Sequence, residues 1–340
     1  MGKITPHPYI DIENALRELT GAPEILTFPT ITHIHMSVIP FLAGQGTVFL
    51  DSRAHKTIYD GCKVAEGQGA TLIRFPHNDA DALEHLVRTS AQPPTLICMD
   101  GVNSMTGNIP DLSRFAKLAK EWNSILYVDD AHGFGLIGEE PGHDMPWGKR
   151  GNGIVRYCGL SYDHIVLVAG LSKSYSSLLA FMGLPSLLKE RVKVAAAPYL
   201  YSGPSPVASL ATTLSGLRVN ARTGETLRRN LYDLCVQLQD GLKQLNIYTL
   251  NQSTLPIFEI PLKDTSKIDA LGTFLFDNAI YVTLALYPLV PKKEVGIRIQ
   301  LTAANTSEEV TTLLNVLDKS RQHFQFYPAA SDLLAPPEAQ

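Results

Sequence analysis

The sequence has little of what marks several protein classes. Four cysteines, Cys62, Cys98, Cys158 and Cys235, are scattered over 340 residues, and none forms a CxxC pair. That spacing excludes a zinc ribbon or a dithiol redox motif, and such usage fits a reducing compartment. The net charge is only −4, with 29 basic and 33 acidic residues mixed along the chain. Neither a nucleic-acid surface nor a polybasic membrane patch is indicated. No apolar run approaches the roughly 18–20 residues of a membrane-crossing helix. The start, Met1 to Tyr9, is polar and carries prolines, unlike an apolar leader. No repeat of fixed period is present. The expectation is a soluble, cytoplasmic protein, with a hydrophobic content of 45% to fill a large core.

What is present is an alternation. Short apolar runs at Thr47–Asp51, Ala70–Phe75, Pro93–Met99, Ile125–Val128 and Ile165–Ala169 read as strands. Between two of them, Pro110–Trp122 reads as an amphipathic helix with Leu112, Phe115, Leu118 and Ala119 inward. Strand and helix alternating in units of about 30 residues predict an α/β fold, a mostly parallel sheet flanked by helices. Residues 139–161, rich in glycine and charge and bearing Trp147, read as a surface excursion. Two helices, Ser205–Arg218 and Glu225–Leu245, place a domain boundary at Arg218. Residues 1–218 are thus predicted to form a large domain and 219–325 a smaller α+β domain. Thr306-Ser307-Glu308-Glu309 is a capping box opening its last helix. The tail, 326–340, is predicted to be disordered.

Two strand ends concentrate the chemistry. One reads Tyr127-Val128-Asp129-Asp130-Ala131-His132-Gly133; the other reads Val168-Ala169-Gly170-Leu171-Ser172-Lys173. In open α/β sheets, ligands bind at the carboxyl ends of the strands. A lysine can hold an aldehyde as a Schiff base, and an acid can pair with a pyridinium nitrogen. Equally, an aspartate after a strand is often a helix cap, and a lysine there is often merely solvated. His55, just past a strand end, is ambiguous in the same way. The hydroxyl-rich Ser172–Ser177 is either a flexible turn or part of a phosphate cradle. His33 and His35 stand at i,i+2, which diverge on a helix, so no metal site is read there. Arg298, on an apolar strand, is open to a snorkelling or a paired structural role.

The block Val128-Asp129-Asp130-Ala131-His132-Gly133-Phe134-Gly135, with Ser172-Lys173 downstream, resembles the α-oxoamine synthase family of fold-type-I pyridoxal phosphate enzymes. That family includes 8-amino-7-oxononanoate synthase, serine palmitoyltransferase, 5-aminolevulinate synthase and glycine C-acetyltransferase. The resemblance runs from about Tyr9 to Ser320. It implies pyridoxal 5′-phosphate as cofactor and Lys173 as the Schiff-base lysine and general base. It implies Asp129 on the ring nitrogen, with Asp130 in support, His132 on the ring oxygen and His55 stacked on the ring. Asp100-Gly101-Val102-Asn103-Ser104-Met105 resembles a family segment that lines the cleft, which implicates Asp100 and Ser104. Tyr201-Ser202-Gly203 resembles a segment that reaches the cofactor phosphate of the neighbouring subunit, implying a homodimer with Ser202 and Gly203 at the phosphate. Arg298, in Arg298-Ile299-Gln300-Leu301-Thr302, matches the arginine that holds the substrate carboxylate.

The implied reaction condenses an amino acid with an acyl thioester, on coenzyme A or acyl carrier protein, with decarboxylation to an α-aminoketone. A fold-type-I aminotransferase would share Asp129 and Lys173, and a non-catalytic partner subunit is a third reading. Three departures stand out. Family members carry several dozen further N-terminal residues, so that segment is expected to be absent here. The family's phosphate loop, Ser-Gly-Phe/Tyr, is Pro29-Thr30-Ile31, and the hydroxyl residue three before the lysine is Gly170. A phosphate contacted by Thr30 and Ile31 is therefore expected to be held more by backbone amides than by side chains.

Overall fold

The structure, a computed structural model, describes residues 7–334. Packing divides it into two units. One holds the chain up to Asn103 together with Ile109–Glu225; the other holds Ser104–Asn108 and the chain from Thr226 onward.

The first unit opens with α1 (His7–Thr20), β1 (Glu24–Phe28), α2 (Ile31–Ala43), β2 (Thr47–Asp51) and α3 (Lys56–Gly67). It continues with β3 (Thr71–Phe75), α4 (Ala80–Ser90), β4 (Thr95–Asp100), α5 (Leu112–Glu121) and β5 (Ile125–Asp129). After α6 (Ile154–Tyr157), β6 (Ile165–Gly170) runs directly into α7 (Leu171–Ser174). Then come β7 (Ala180–Leu184), α8 (Lys189–Ala195), α9 (Ala197–Tyr201) and α10 (Val207–Gln244).

The strands form a 7-stranded sheet in the order β1-β7-β6-β5-β4-β2-β3. Neighbours from β6 across to β3 are parallel. β7 runs antiparallel to both β6 and β1, so β1 points the same way as β6. The carboxyl ends of β1, β2, β4, β5 and β6 therefore emerge along one edge, carrying the residues that follow them. β4 and β6 are buried along their whole length. This is what near-continuous apolar runs achieve when helices cover both faces of a parallel sheet. α5 buries Leu112, Phe115, Leu118 and Ala119, the stripe its periodicity predicts. Across the sheet, α2 and α3 pack over a core that includes Leu50, Cys62, Cys98, Tyr127 and Val168. Gly61 lets α3 come close: a side-chain carbon there would sit 2.5 Å from the His35 carbonyl oxygen.

The second unit contains β8 (Ile257–Pro261), α11 (Ile268–Asp277), β9 (Thr283–Ala285), β10 (Gly296–Gln300), α12 (Ser307–Ser320) and α13 (Ala330–Leu334). Its strands form an antiparallel sheet in the order β8-β10-β9. Thr306 and Glu309 make the reciprocal capping box at the start of α12.

Three sequence-based expectations are revised. The two helices about Arg218 are one helix of 38 residues, α10, and the units part at Glu225–Thr226 inside it. Gly224 does not break it, because a helical glycine costs only about 1 kcal/mol. The ordered chain also runs past 325. Leu262 bridges to Phe326, the Tyr248 amide donates to the Tyr327 carbonyl at 2.7 Å, and α13 follows. The rest of the predicted disordered tail, 335–340, lies outside the described residues.

Candidate active site

Asp129 ends β5, where it pairs with Asp100 of β4 and Val168 of β6. Its side chain is 6% exposed. The Ala131 amide donates to Oδ1 at 2.9 Å, and His35 Nε2 hydrogen-bonds Oδ2 at 2.9 Å. Burial alone would raise its pKa. The His35 hydrogen bond and electrostatics, the Ala131 amide and Lys173 outweigh that and hold the carboxyl below the usual range. Asp130 lies on the opposite face of the strand end, as successive strand residues must. The Ile154 amide donates to its Oδ2 at 2.8 Å. Its carboxyl is pushed up to about 8, mainly by burial and further by Asp129, against the pull of the Ile154 and Gly133 amides.

His55 caps α3, and its Nδ1 hydrogen-bonds the Thr57 hydroxyl at 2.7 Å. Its amide donates to Asp100 Oδ1 at 3.2 Å, which ties the end of β2 to the end of β4. The ring retains an accessible surface, yet its surroundings lower its pKa. Burial is the main cause; Asp129 opposes it, and Lys173 and His35 add to it. Lys173 lies on α7, immediately beyond β6, and is exposed. His132 is half-buried in the turn that follows β5. The first unit thus brings Asp129, His55 and Lys173 into one electrostatic neighbourhood.

His35 is the residue that sequence reading passed over. It is 0% exposed, one turn into α2. A search for metal pairs rejects it because its neighbour His33 diverges. Its partner Asp129 is 94 residues away, beyond any local pattern. Among the described residues, no group of three or more His, Cys, Asp or Glu side chains is placed to hold a metal ion.

Thr30 is the N-cap of α2 and accepts from the His33 amide at 3.2 Å. The sequence pattern alone reads a helix over Met36–Leu42; the Thr30 cap starts it at Ile31, so Thr30 and Ile31 form its N-terminus. The first amides of a helix lack intrahelical partners, so such an end suits an anion. The two departures in the phosphate region prove to be one. A side-chain carbon on Gly170 would lie 2.8 Å from Ile31 Cδ1 and 3.2 Å from Cγ1. Ile31 fills the space that a larger residue at 170 would need. Gly170→Thr is expected to cost about 1–2 kcal/mol through this overlap. Ile31→Ala should recover most of that loss, read as positive coupling in a double-mutant cycle of denaturant unfolding. Simple addition of the two effects would contradict the coupling.

Ser202 follows α9 and is half-buried; Gly203 is exposed, with open space where a side chain would be. In the second unit, Arg298 Nε donates to the Ser104 carbonyl at 2.8 Å, and Nη1 donates to Gln300 Oε1 at 2.9 Å. Arg298 and Ser104, placed in one cleft by the resemblance, are thus joined through the Ser104 backbone.

The sequence pattern of the aminotransferase class I and II family matches residues 3–317. The chain belongs to that family. An 8-amino-7-oxononanoate synthase of Pseudomonas syringae pv. syringae (strain B728a) is 35% identical over 314 residues, 92% of this chain and 75% of that protein. A putative 8-amino-7-oxononanoate synthase of Desulforudis audaxviator (strain MP104C) is 32% identical, over 91% of this chain and 77% of that one. Among solved structures, serine palmitoyltransferase from S. paucimobilis with a bound PLP–myriocin aldimine superposes with a TM-score of 0.84 at 27% identity. The match covers 94% of this chain and 77% of that one. These similarities make the protein an α-oxoamine synthase, a pyridoxal-phosphate-dependent acyltransferase of the fold-type-I class. Its donor set fits the cofactor. A lysine follows β6, a buried ionised acid ends β5, an imidazole of lowered pKa follows β2, and a helix N-terminus follows β1. No helix among the described residues is long and apolar enough to cross a membrane.

Proposed function

We propose that this synthase joins an amino acid to an acyl thioester, on coenzyme A or a carrier protein, with loss of carbon dioxide to give an α-aminoketone. The observation that carries the pyridoxal phosphate chemistry of this reading is Asp129. It is a buried carboxylate held ionised at the end of the strand beside the one that delivers Lys173. Pyridoxal phosphate, when bound, supplies an electron sink for a carbanion at the amino acid α-carbon. Asp129 would keep the ring nitrogen protonated through opposite charge. Lys173 Nζ would hold the cofactor aldehyde and would serve as the base for the α-proton. His55, its pKa lowered, would stack on the ring, and His132 would hydrogen-bond the ring oxygen. The α2 N-terminus at Thr30 and Ile31 would hold the phosphate. By resemblance, Ser104 contacts the cofactor and the planar fork of Arg298 grips the substrate carboxylate.

Relatives named as 8-amino-7-oxononanoate synthases favour acyl transfer over amino transfer. The test is to load the protein with cofactor, add an acyl-CoA, and survey amino acids. Carbon dioxide and free thiol released in step support the reading. A keto acid formed without free thiol would instead mark an aminotransferase. No reaction and no cofactor spectrum would mark a silent partner subunit.

A cytoplasmic location and a homodimer belong to the same proposal. Leu187 is 87% exposed and Tyr201 83%, and Leu178, Val194 and Val207 are also exposed in the same stretch of chain. Exposed apolar side chains are candidates for association, and Ser202 and Gly203 lie among these in sequence. Sedimentation equilibrium of the cofactor-loaded protein is expected to give twice the chain mass of 37.2 kDa. A stable loaded monomer would contradict the dimer.

A further inference from the structure

Beneath Asp129 lies a polar relay that leads away from the edge where the strands deliver the cofactor ligands. His35 Nε2 hydrogen-bonds Asp129 Oδ2 at 2.9 Å, and His35 Nδ1 hydrogen-bonds the Tyr127 hydroxyl at 2.8 Å. His35 and Tyr127 are both 0% exposed, and their rings meet edge-on with centroids 5.6 Å apart. Tyr127 sits two residues before Asp129 on β5, so both side chains fall on the same face of the strand. That face is the one covered by α2, and Tyr127 belongs to the apolar core beneath it. The backbone at His35 is clamped as well, since Gly61 allows α3 to close onto its carbonyl.

Polar groups buried this deeply are costly unless each is matched. Here each one is matched. An ionised carboxylate only accepts, so the proton between His35 and Asp129 sits on Nε2 whichever state the rest of the ring adopts. Nδ1 then faces a hydroxyl, which can donate to a neutral ring or accept from a charged one. The Asp129 carboxylate is held at both oxygens, by the Ala131 amide on Oδ1 and by His35 on Oδ2. Two fixed contacts remove its rotational freedom and leave its remaining lone pairs aimed in a set direction.

We propose that His35 and Tyr127 are positioning residues, which lock the Asp129 carboxylate in orientation and charge for the cofactor's ring nitrogen. The proposal rests on the reading that Asp129 is the residue facing that nitrogen. The His35 bond to a charged acceptor is the stronger of the two links and carries most of the effect. Tyr127 acts one step further away by fixing the imidazole.

The test uses the full chain with His35→Leu, His35→Gln, Tyr127→Phe and Asp129→Asn. In the cofactor-free protein, the Asp129 carboxyl is titrated by carbon NMR. In the loaded protein, the Kd for pyridoxal phosphate and its visible absorbance are measured. His35→Leu is expected to raise the Asp129 midpoint by about one pH unit or more and to weaken cofactor binding about tenfold. His35→Gln, which keeps an N–H donor, should recover part of both. Tyr127→Phe keeps the ring in the core and loses only the hydroxyl, so it should fold and show a smaller shift in the same direction. A purely structural pair would lower Tm yet leave the carboxyl midpoint, the Kd and the spectrum unchanged, and that result overturns the proposal. Asp129→Asn separates the two failures. If it alone changes cofactor binding and spectrum, the relay is wrong and the Asp129 reading stands. If it changes neither, the Asp129 reading itself fails.

Discussion

Asp129→Asn is expected to lower turnover about a hundredfold or more at saturating cofactor, the scale of losing a key electrostatic group. The substitution keeps shape and most hydrogen bonding. What it removes is the negative charge proposed to favour a protonated ring nitrogen. The adjacent Asp130→Asn is expected to retain most turnover, because the Asp130 side chain faces Ile154 and the glycines Gly101, Gly133 and Gly153. Its signature should be in stability. The Asp130 carboxyl is raised to about 8 in the folded state, far above its ordinary value of 3.8. A raised folded pKa means that the group's contribution is complete below the unfolded value and is lost as pH rises through the folded one. Between about pH 4 and 8 the unfolded chain has lost this proton while the folded chain keeps it, so stability falls with pH, by at most about 1.4 kcal/mol per unit. Asparagine does not titrate. Denaturant unfolding from pH 5 to 8 should therefore show a shallower decline for Asp130→Asn than for the parent. If Asp130→Asn is the variant with damaged chemistry, the assignment along β5 is wrong by one residue.

Lys173→Ala is expected to lower turnover by at least about a thousandfold, since it would remove both the proposed Schiff-base amine and the proposed general base. Cofactor should still bind through Asp129 and the α2 N-terminus, but the absorbance of the protein-bound Schiff base should vanish. Added small amines should restore part of the proton transfer without restoring the covalent link. Near-parental turnover in Lys173→Ala would remove the basis of the proposed chemistry.

The parallel sheet was legible because buried strands such as Ile165–Gly170 are short apolar runs with a polar stop. That same pattern pointed to Asp129 and Lys173, since whatever follows such a strand emerges at its carboxyl end. Helix boundaries were less legible where tertiary packing outweighs local preference. α10 passes through Gly224 without interruption, and α2 starts at Ile31 because Thr30 caps it. Two features of the site had no local signature at all. The contact between His35 and Asp129 joins residues on separate elements, and a histidine on a mostly apolar helix looks like any other. The exchange between Ile31 and Gly170 likewise reads as two unrelated departures until the fold brings β6 beside α2.

The most direct test of the account is where the cofactor attaches. Borohydride reduction of the loaded protein, followed by proteolysis and mass mapping, should place the pyridoxyl label on Lys173 and nowhere else. A label on a different lysine, or none on a folded and loaded protein, would contradict the site assembled here at the ends of β5 and β6.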